Sequence, residues 1–436
     1  MYSSRLYKLA TGRVAAVLVV RLISVGSALL LNILLARYLG PEGFGSVAFA
    51  LAWLLLISGL VRHGLGIFVV REVAALRARK EFALLRGFLS KTFQYVLLSS
   101  AVVSLIIFAV LKFTESSLGS VQYTLFLYGI PMILLLGLLS YYEAITKGFG
   151  YIIRSQLAEF VVRPIFQLTI IIALVFHILP FGLDPASVII VYSLGAFLAC
   201  ITAYILRVRI KRSALKTSRY LYRTKDWFKA GLNLSVVSWV GLLNLHVIPI
   251  MLGLLGSNKD VAFFQAAAQL AFILSLITMV LNAVQAADFS KYYALKDSQR
   301  IQSLATKSSR ICCAFSLCWL IIYFVFGELL IELILGEQYE GLYPILMIIS
   351  LANFINTTTG SVGVLMNSCH QEKEVYIALL LALTIGIIAG LIFIPTYGAM
   401  GGGIAMAASL ASWNIFLIIR AKQKLNIWCL PFLFLK

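Results

Sequence analysis

The chain has 436 residues, 61% of them hydrophobic and only 12% charged, with a formal net charge of +19. A soluble domain carries about twice that charged fraction, so the composition excludes a water-soluble globule and indicates a polytopic membrane protein. The surplus of Lys and Arg then belongs to one set of loops and is no pointer to nucleic acid.

A membrane span needs about 20 apolar residues. In chain order the candidates are 14–36, 46–70, 88–111, 122–145, 152–178, 186–206, 230–254, 261–289, 311–326, 343–366, 375–394 and 401–419. The expected fold is all-α, with about twelve transmembrane helices. The first thirteen residues are basic and no small-residue cleavage site follows the first apolar run, so no cleaved signal peptide is expected. With the N-terminus inside, alternate loops hold Arg71, Arg77, Arg79, Lys80, Arg86 and Lys91, then Lys147 and Arg154. Later loops on that side hold Lys291, Lys296, Arg300, Lys307 and Arg310, then Lys373, then Arg420, Lys422 and Lys424. The opposite loops hold only Arg37, Lys112 and Lys259, and the segment 328–342 carries Glu328, Glu332, Glu337 and Glu340 with no base. The positive-inside rule therefore puts both termini in the cytoplasm. No outer loop is long enough for a folded domain, so the work must be done between helices.

Midway, the stretch 207–229 sets Arg207, Arg209, Lys211, Arg212, Lys216, Arg219, Arg223, Lys225 and Lys229 against a single acid, Asp226. It reads as a cytoplasmic linker on anionic lipid, with Tyr220, Tyr222, Trp227 and Phe228 at headgroup level. The expected organisation is a six-helix bundle over 1–206, the linker 207–229, a second bundle over 230–421 and a cytoplasmic tail over 422–436. Cys200, Cys312, Cys313, Cys318, Cys369 and Cys429 show no CxxC spacing, so neither a disulfide framework nor a metal site is expected. His63, His177, His246 and His370 form no HExxH, and no GxxxxGK[ST] is present. Neither an enzyme nor a cofactor is expected.

A short repeat links the halves. Leu39-Gly40-Pro41-Glu42-Gly43-Phe44-Gly45-Ser46-Val47-Ala48-Phe49 follows span one, and Leu255-Gly256-Ser257-Asn258-Lys259-Asp260-Val261-Ala262-Phe263 follows span seven. Each is Leu-Gly, a run of turn formers, then Val-Ala-Phe opening the next span, as two repeated bundles would require. The segment 36–45, ARYLGPEGFG, resembles the signature of bacterial polysaccharide flippases of the multidrug/oligosaccharidyl-lipid/polysaccharide superfamily. The resemblance covers nearly the whole chain. It implies two bundles around a central cavity in the bacterial inner membrane. It also implies alternating-access transfer of a polyprenyl-diphosphate-linked oligosaccharide to the outer leaflet, for surface polysaccharide such as O-antigen. Membrane lipids and other polysaccharide-assembly proteins are the partners it suggests. The lipid II flippases of that superfamily carry further C-terminal spans, which this sequence does not show.

Charges inside spans face a cavity or a partner by default. Arg21 lies roughly 10 Å from the inner end of span one at 1.5 Å per residue; Arg62 lies in span two and Arg163 in span five. Gln156, Glu159, Arg163 and Gln167 are spaced to form one stripe on one helix face, with Pro164 beside them. Arg21 and Asn32 share a face of span one. The second half offers Asn244, His246, Gln269, Asn282, Gln285, Asp288, Asn353 and Asn356. A guanidinium bonds diphosphate oxygens bidentately, and amides suit sugar hydroxyls. The expected cavity set is therefore Arg21, Asn32, Arg62, Gln156, Arg163, Gln167, Asn244, Gln269, Asn282, Gln285, Asn353 and Asn356. Glu159, His246 and Asp288 are the ionisable candidates for coupling to a gradient. Glu143 sits near an inner helix end and reads as solvated. The competing readings are snorkelling for Arg21 and Arg62, a structural ion pair for Glu159–Arg163, and interhelical glue for the amides. The rival functions are a multidrug extruder of the same superfamily and a membrane polymerase or ligase; the latter usually needs a large outer loop for its chemistry.

Overall fold

The computed structural model describes residues 2–62, 65–115, 119–180, 182–208 and 220–431. It is helical, with no strand among the described residues. Ten helices are long and apolar enough to cross a membrane. Two of them hold two spans each, because helix α1 (Tyr2–Arg62) kinks at Gly40 (φ 68°) and helix α14 (Glu372–Leu425) at Gly398 (φ 52°). That yields the twelve crossings expected, and positive φ is why a glycine stands at each kink.

Contacts divide the chain into two compact units, Met1–Leu39 with Ala50–Leu242, and Gly40–Phe49 with Leu243–Lys436. The first contains α2 (Leu65–Ala78), α3 (Phe82–Phe113), α4 (Ser120–Gly148), α5 (Ile152–Leu157), α6 (Arg163–Val175) and α7 (Pro185–Val208). Helix α4 is its organising element. Gly129 and Gly137 lie where a Cβ would press on Leu54, or on Ser100, Val96 and Val61, and Gly148 lies against Val73. Small residues let helices approach closely where lipid supplies no hydrophobic drive between them. Tyr141 is buried and donates to the Leu89 carbonyl at 2.8 Å. Arg77 donates to the Phe149 carbonyl at 2.6 Å, satisfying an orphan group at the C-terminus of α4.

At the described end of the basic linker, Trp227 departs from the expected headgroup position. Trp227, in helix α8 (Thr224–Leu255), is buried, packs edge-on against Phe88 and donates to Glu72 Oε1 at 3.1 Å. Its indole N–H found a carboxylate inside the protein, which beats the headgroup region. Tyr220 and Tyr222 stack with centroids 6.3 Å apart; Arg86 lies over the first ring and Lys91 over the second. Residues 209–219 and the side chain of Phe228 lie outside the described residues. Trp227→Phe should leave Glu72 Oε1 without that donor and lower the thermal midpoint by the equivalent of about 1–2 kcal/mol, read by differential scanning fluorimetry in detergent.

The second unit contains α9 (Asn258–Ala271), α10 (Leu276–Ala294), α11 (Ser298–Leu335), α12 (Tyr343–Thr358), α13 (Val362–Ser368) and α14. A 3₁₀ turn over Phe272–Ser275 separates α9 from α10. Glu328 and Glu332, expected in a loop, stand on the last turns of α11, because that helix runs well beyond its apolar stretch. Asp260 is a structural hub. It closes a capping box with Ser257, and its Oδ1 accepts the Ala399 N–H at 2.9 Å beside the Gly398 kink. The end of the chain is tied down as well. Gln302 accepts the Trp428 N–H at 2.8 Å and donates to its carbonyl at 2.7 Å, and Cys429 joins a buried cluster with Cys369, Met366 and Leu417. Burial pushes the Cys369 thiol up to about 11 and the Cys429 thiol up to about 12. The thiolate is the reactive form, so both should resist maleimide at neutral pH until the protein unfolds; labelling of native protein within minutes would contradict this packing.

Candidate functional site

Within the first unit lies a cavity of about 720 Å³. Four bases (Arg21, Arg62, Arg71 and Lys147) and two acids (Glu143 and Glu159) line it, together with Gln156, Phe160, Ser140, Ser155 and Ser238. Six helical segments position these groups, Ser238 coming from α8. Arg21 and Arg62 come from the two arms of α1, Arg62 in its last turn; Arg71 comes from α2 beyond it. Glu143 and Lys147 stand one turn apart near the C-terminus of α4, where a cation suits the helix dipole. Gln156 is on α5. Glu159 and Phe160 lie on a π-helical turn, Ala158–Val162, that separates α5 from α6.

The π turn decides which residues of span five reach the cavity. An α-helix would align Gln156, Glu159, Arg163 and Gln167, as the spacing suggests. Beyond this wider turn the stripe divides between cavity and packing, although Arg163 keeps its i,i+4 contact with Glu159. Gln156 and Glu159 line the cavity; Arg163 and Gln167 are not among its lining residues. Gln167 is buried and packs where Gly195 of α7 leaves room. Arg163 turns to Glu159, with Nη1 3.8 Å from Glu159 Oε1. Arg62 Nη1 reaches the same oxygen at 3.5 Å. The side chains of Arg62, Arg163 and Glu159 are 14%, 12% and 19% exposed, so this is an enclosed Arg–Glu–Arg triad. Arg21 lies with its guanidinium carbon 3.7 Å from the centroid of the Phe160 ring. Cation–π contact and the lining position both hold it inward, where a snorkelling side chain would extend away.

In and around the cavity both donors and acceptors are left unpaired. Arg62 Nε and Arg163 Nε are buried without hydrogen-bond partners among the described residues, as are the Glu143 and Gln156 Oε1 atoms. Glu143 is the residue the sequence misplaces: it lines the cavity and is not solvated at a helix end. Its i,i+4 spacing to Lys147 was the available signal.

The family model for polysaccharide biosynthesis proteins matches residues 12–287, more than half of the 436 residues. The chain belongs to the polysaccharide biosynthesis protein family. Solved structures share its fold. A multidrug resistance MATE family transporter of the MOP superfamily, inward-facing, superposes with a TM-score of 0.76 at 13% identity, covering 94% of this chain and 98% of that one. The lipid II flippase MurJ, inward closed, gives 0.69 at 13% identity, with 94% and 87% covered. A MOP superfamily transporter from Pyrococcus furiosus, described by a reverse polarity of its binding pocket, gives 0.65 at 14% identity with 95% of each covered. No curated protein matches at the sequence level. The fold is thus that of the MOP superfamily transporters.

Elsewhere in this family member, the amide candidates are spread and several are engaged. Asn32 Nδ2 donates to the Ala28 carbonyl of its own helix. Asn244 donates to the Leu379 carbonyl at 3.0 Å. Asn353 accepts from Ser275 at 2.9 Å. Asn356 accepts from Asn414 Nδ2 at 2.9 Å while Asn414 Oδ1 accepts from Thr359. Apart from the Asn32 bond within α1, these bonds join helical segments of the second unit, as interhelical glue does. Asn414 was not singled out by sequence, because a lone amide in an apolar run carries no spacing signal. Asn282 and Gln285 differ: one turn apart on α10, each keeps a buried side-chain oxygen with no hydrogen-bond partner among the described residues. Gln269, His246 and Asp288 are half-buried in the second unit.

Proposed function

We propose that the chain is a flippase for a polyprenyl-diphosphate-linked oligosaccharide, moving it from the cytoplasmic to the outer leaflet for surface polysaccharide assembly. The observation that carries this reading is a surplus of cations in the cavity, with a buried Arg62 N–H that lacks an acceptor. A diphosphate diester offers what is missing: anionic oxygens that take charge-assisted hydrogen bonds in forked geometry. Arg71 and Lys147 lie at the side that the charge bias assigns to the cytoplasm, so the headgroup would be taken up from that side. Arg21 and Arg62 would grip the diphosphate, and Arg163 would act through Glu159 by orienting Arg62. Family membership supports the polysaccharide branch over drug export, and an organic cation would meet like charge at Arg21 and Arg62.

The test pairs two assays in one flippase-deleted host: surface polysaccharide and efflux of a cationic dye. Arg62→Ala and Arg21→Ala should each reduce polysaccharide at least tenfold at equal protein abundance, with dye efflux at background throughout. Polysaccharide restored to the parental level by Arg62→Ala would reject the headgroup role. Robust dye efflux by the parent, lost in Glu159→Gln, would instead assign a drug extruder.

A further inference from the structure

Two carboxyl groups line this cavity, and they carry an inference that rests on the headgroup reading. Glu143 comes from α4 and Glu159 from the π turn, and both share the cavity with Arg62, which stands 3.5 Å from Glu159. The cationic surroundings are unequal. Glu159 has Arg62 at 3.5 Å and Arg163 at 3.8 Å, with Arg21 farther off. Glu143 shares Arg62 with it and also feels Arg21 and Arg163, and its Oε1 is buried without a partner among the described residues. Lys147 and Arg71 line the cavity, and Tyr192 lies beside Arg163; His63 lies outside the described residues.

We propose that Glu143 and Glu159 form a proton-binding pair that gates the grip of Arg62 on an anionic headgroup. Arg62 cannot serve Glu159 and a diphosphate equally well. When an anion draws Arg62 away, the two carboxylates lose their shared cation and gain a negative neighbour; both changes favour a proton on the pair. Proton and headgroup therefore bind with mutual reinforcement, and each must raise the affinity of the other by the same factor. Loss of the proton restores the charge on the pair, returns Arg62 to Glu159 and weakens the grip on the anion. No bond other than O–H is made or broken: one proton enters from water as the anion binds, and returns to water as it leaves.

The probe is P1,P2-dimethyl diphosphate, a diester with no proton to exchange near neutral pH, titrated calorimetrically into the purified full-length protein. Heats in two buffers of different ionisation enthalpy count the protons taken up. The parent should take up a sizeable fraction of a proton per ligand, and its affinity should fall severalfold from about pH 6 to about pH 8. Glu143→Gln should still bind, with little proton uptake and a flat pH profile. Binding with equal proton uptake by the parent and Glu143→Gln would overturn this inference while leaving the headgroup reading intact. A flat profile in the parent would do the same without recourse to a variant. Absence of binding by the parent at any pH would overturn both.

Discussion

Glu159→Gln should lower the thermal stability of the protein more than the double change Glu159→Gln with Arg163→Gln. The carboxylate neutralises two enclosed guanidinium groups, at 3.5 and 3.8 Å. Removing it leaves Arg62 and Arg163 facing each other with nothing between them. Breaking a buried ion pair by removing one partner costs about 3–5 kcal/mol, most of it the stranded charge. Removing Arg163 as well leaves one guanidinium, which lines an open cavity and can be solvated there. The second substitution should therefore recover one to a few kcal/mol, a coupling well outside the error of additivity. Arg163→Gln alone should be milder than Glu159→Gln, because Glu159 keeps Arg62. Thermal unfolding followed by size-exclusion chromatography in detergent reads all four proteins. Additive losses in the double variant would show that the triad is not an electrostatic unit.

The sequence anticipates the architecture because its signals are long. A run of twenty apolar residues, a charge bias repeated over alternate loops, and a glycine at a forced positive φ survive any local rearrangement; Gly40 and the paired Val-Ala-Phe segments are of this kind. Arg21, Arg62, Gln156 and Glu159 were legible for a related reason, since charge and amide groups in apolar spans must face something polar. Other readings depended on local geometry. Arg163 pairs with Glu159 at i,i+4 as its spacing suggested, but beyond the π turn over Ala158–Val162 it is not among the residues that line the cavity. Pro164 follows this turn; it has no N–H to give to an α-helical ladder. Glu143 was misread because apolarity fades before the helix does: α4 continues to Gly148 and keeps its last turns packed inside. Trp227 was assigned to lipid by its type, and only the fold reveals Glu72 155 positions away in sequence.

Gly45→Ala should be strongly damaging, while Gly26→Ala, another glycine of the same helix, should be harmless. At Gly45 a Cβ would overlap the backbone carbonyl of Asn258. A side chain in the way could rotate aside, but this carbonyl opens α9, and the capping box of Ser257 with Asp260 fixes it. Asp260 is itself committed to the Ala399 N–H beside Gly398, where a Cβ would meet the same carboxylate. To admit one methyl at position 45, the start of α9 and the Gly398 kink must shift together. Overpacking of this kind costs about 1–3 kcal/mol, and with backbone on the receiving side the upper end applies. Gly26 has nothing within 4 Å of its would-be Cβ and lies inside a helix. There alanine removes the conformational penalty of glycine, a gain of up to about 1 kcal/mol. The two variants differ from the parent by the same methyl, so expression, membrane insertion and composition are matched. Gly45→Ala should lower both the thermal midpoint and polysaccharide output sharply, and Gly26→Ala should leave output unchanged with an equal or higher midpoint. Parental stability and output from Gly45→Ala would mean that the contact between the Gly40–Phe49 segment and Asn258 is not a fixed element of the second unit.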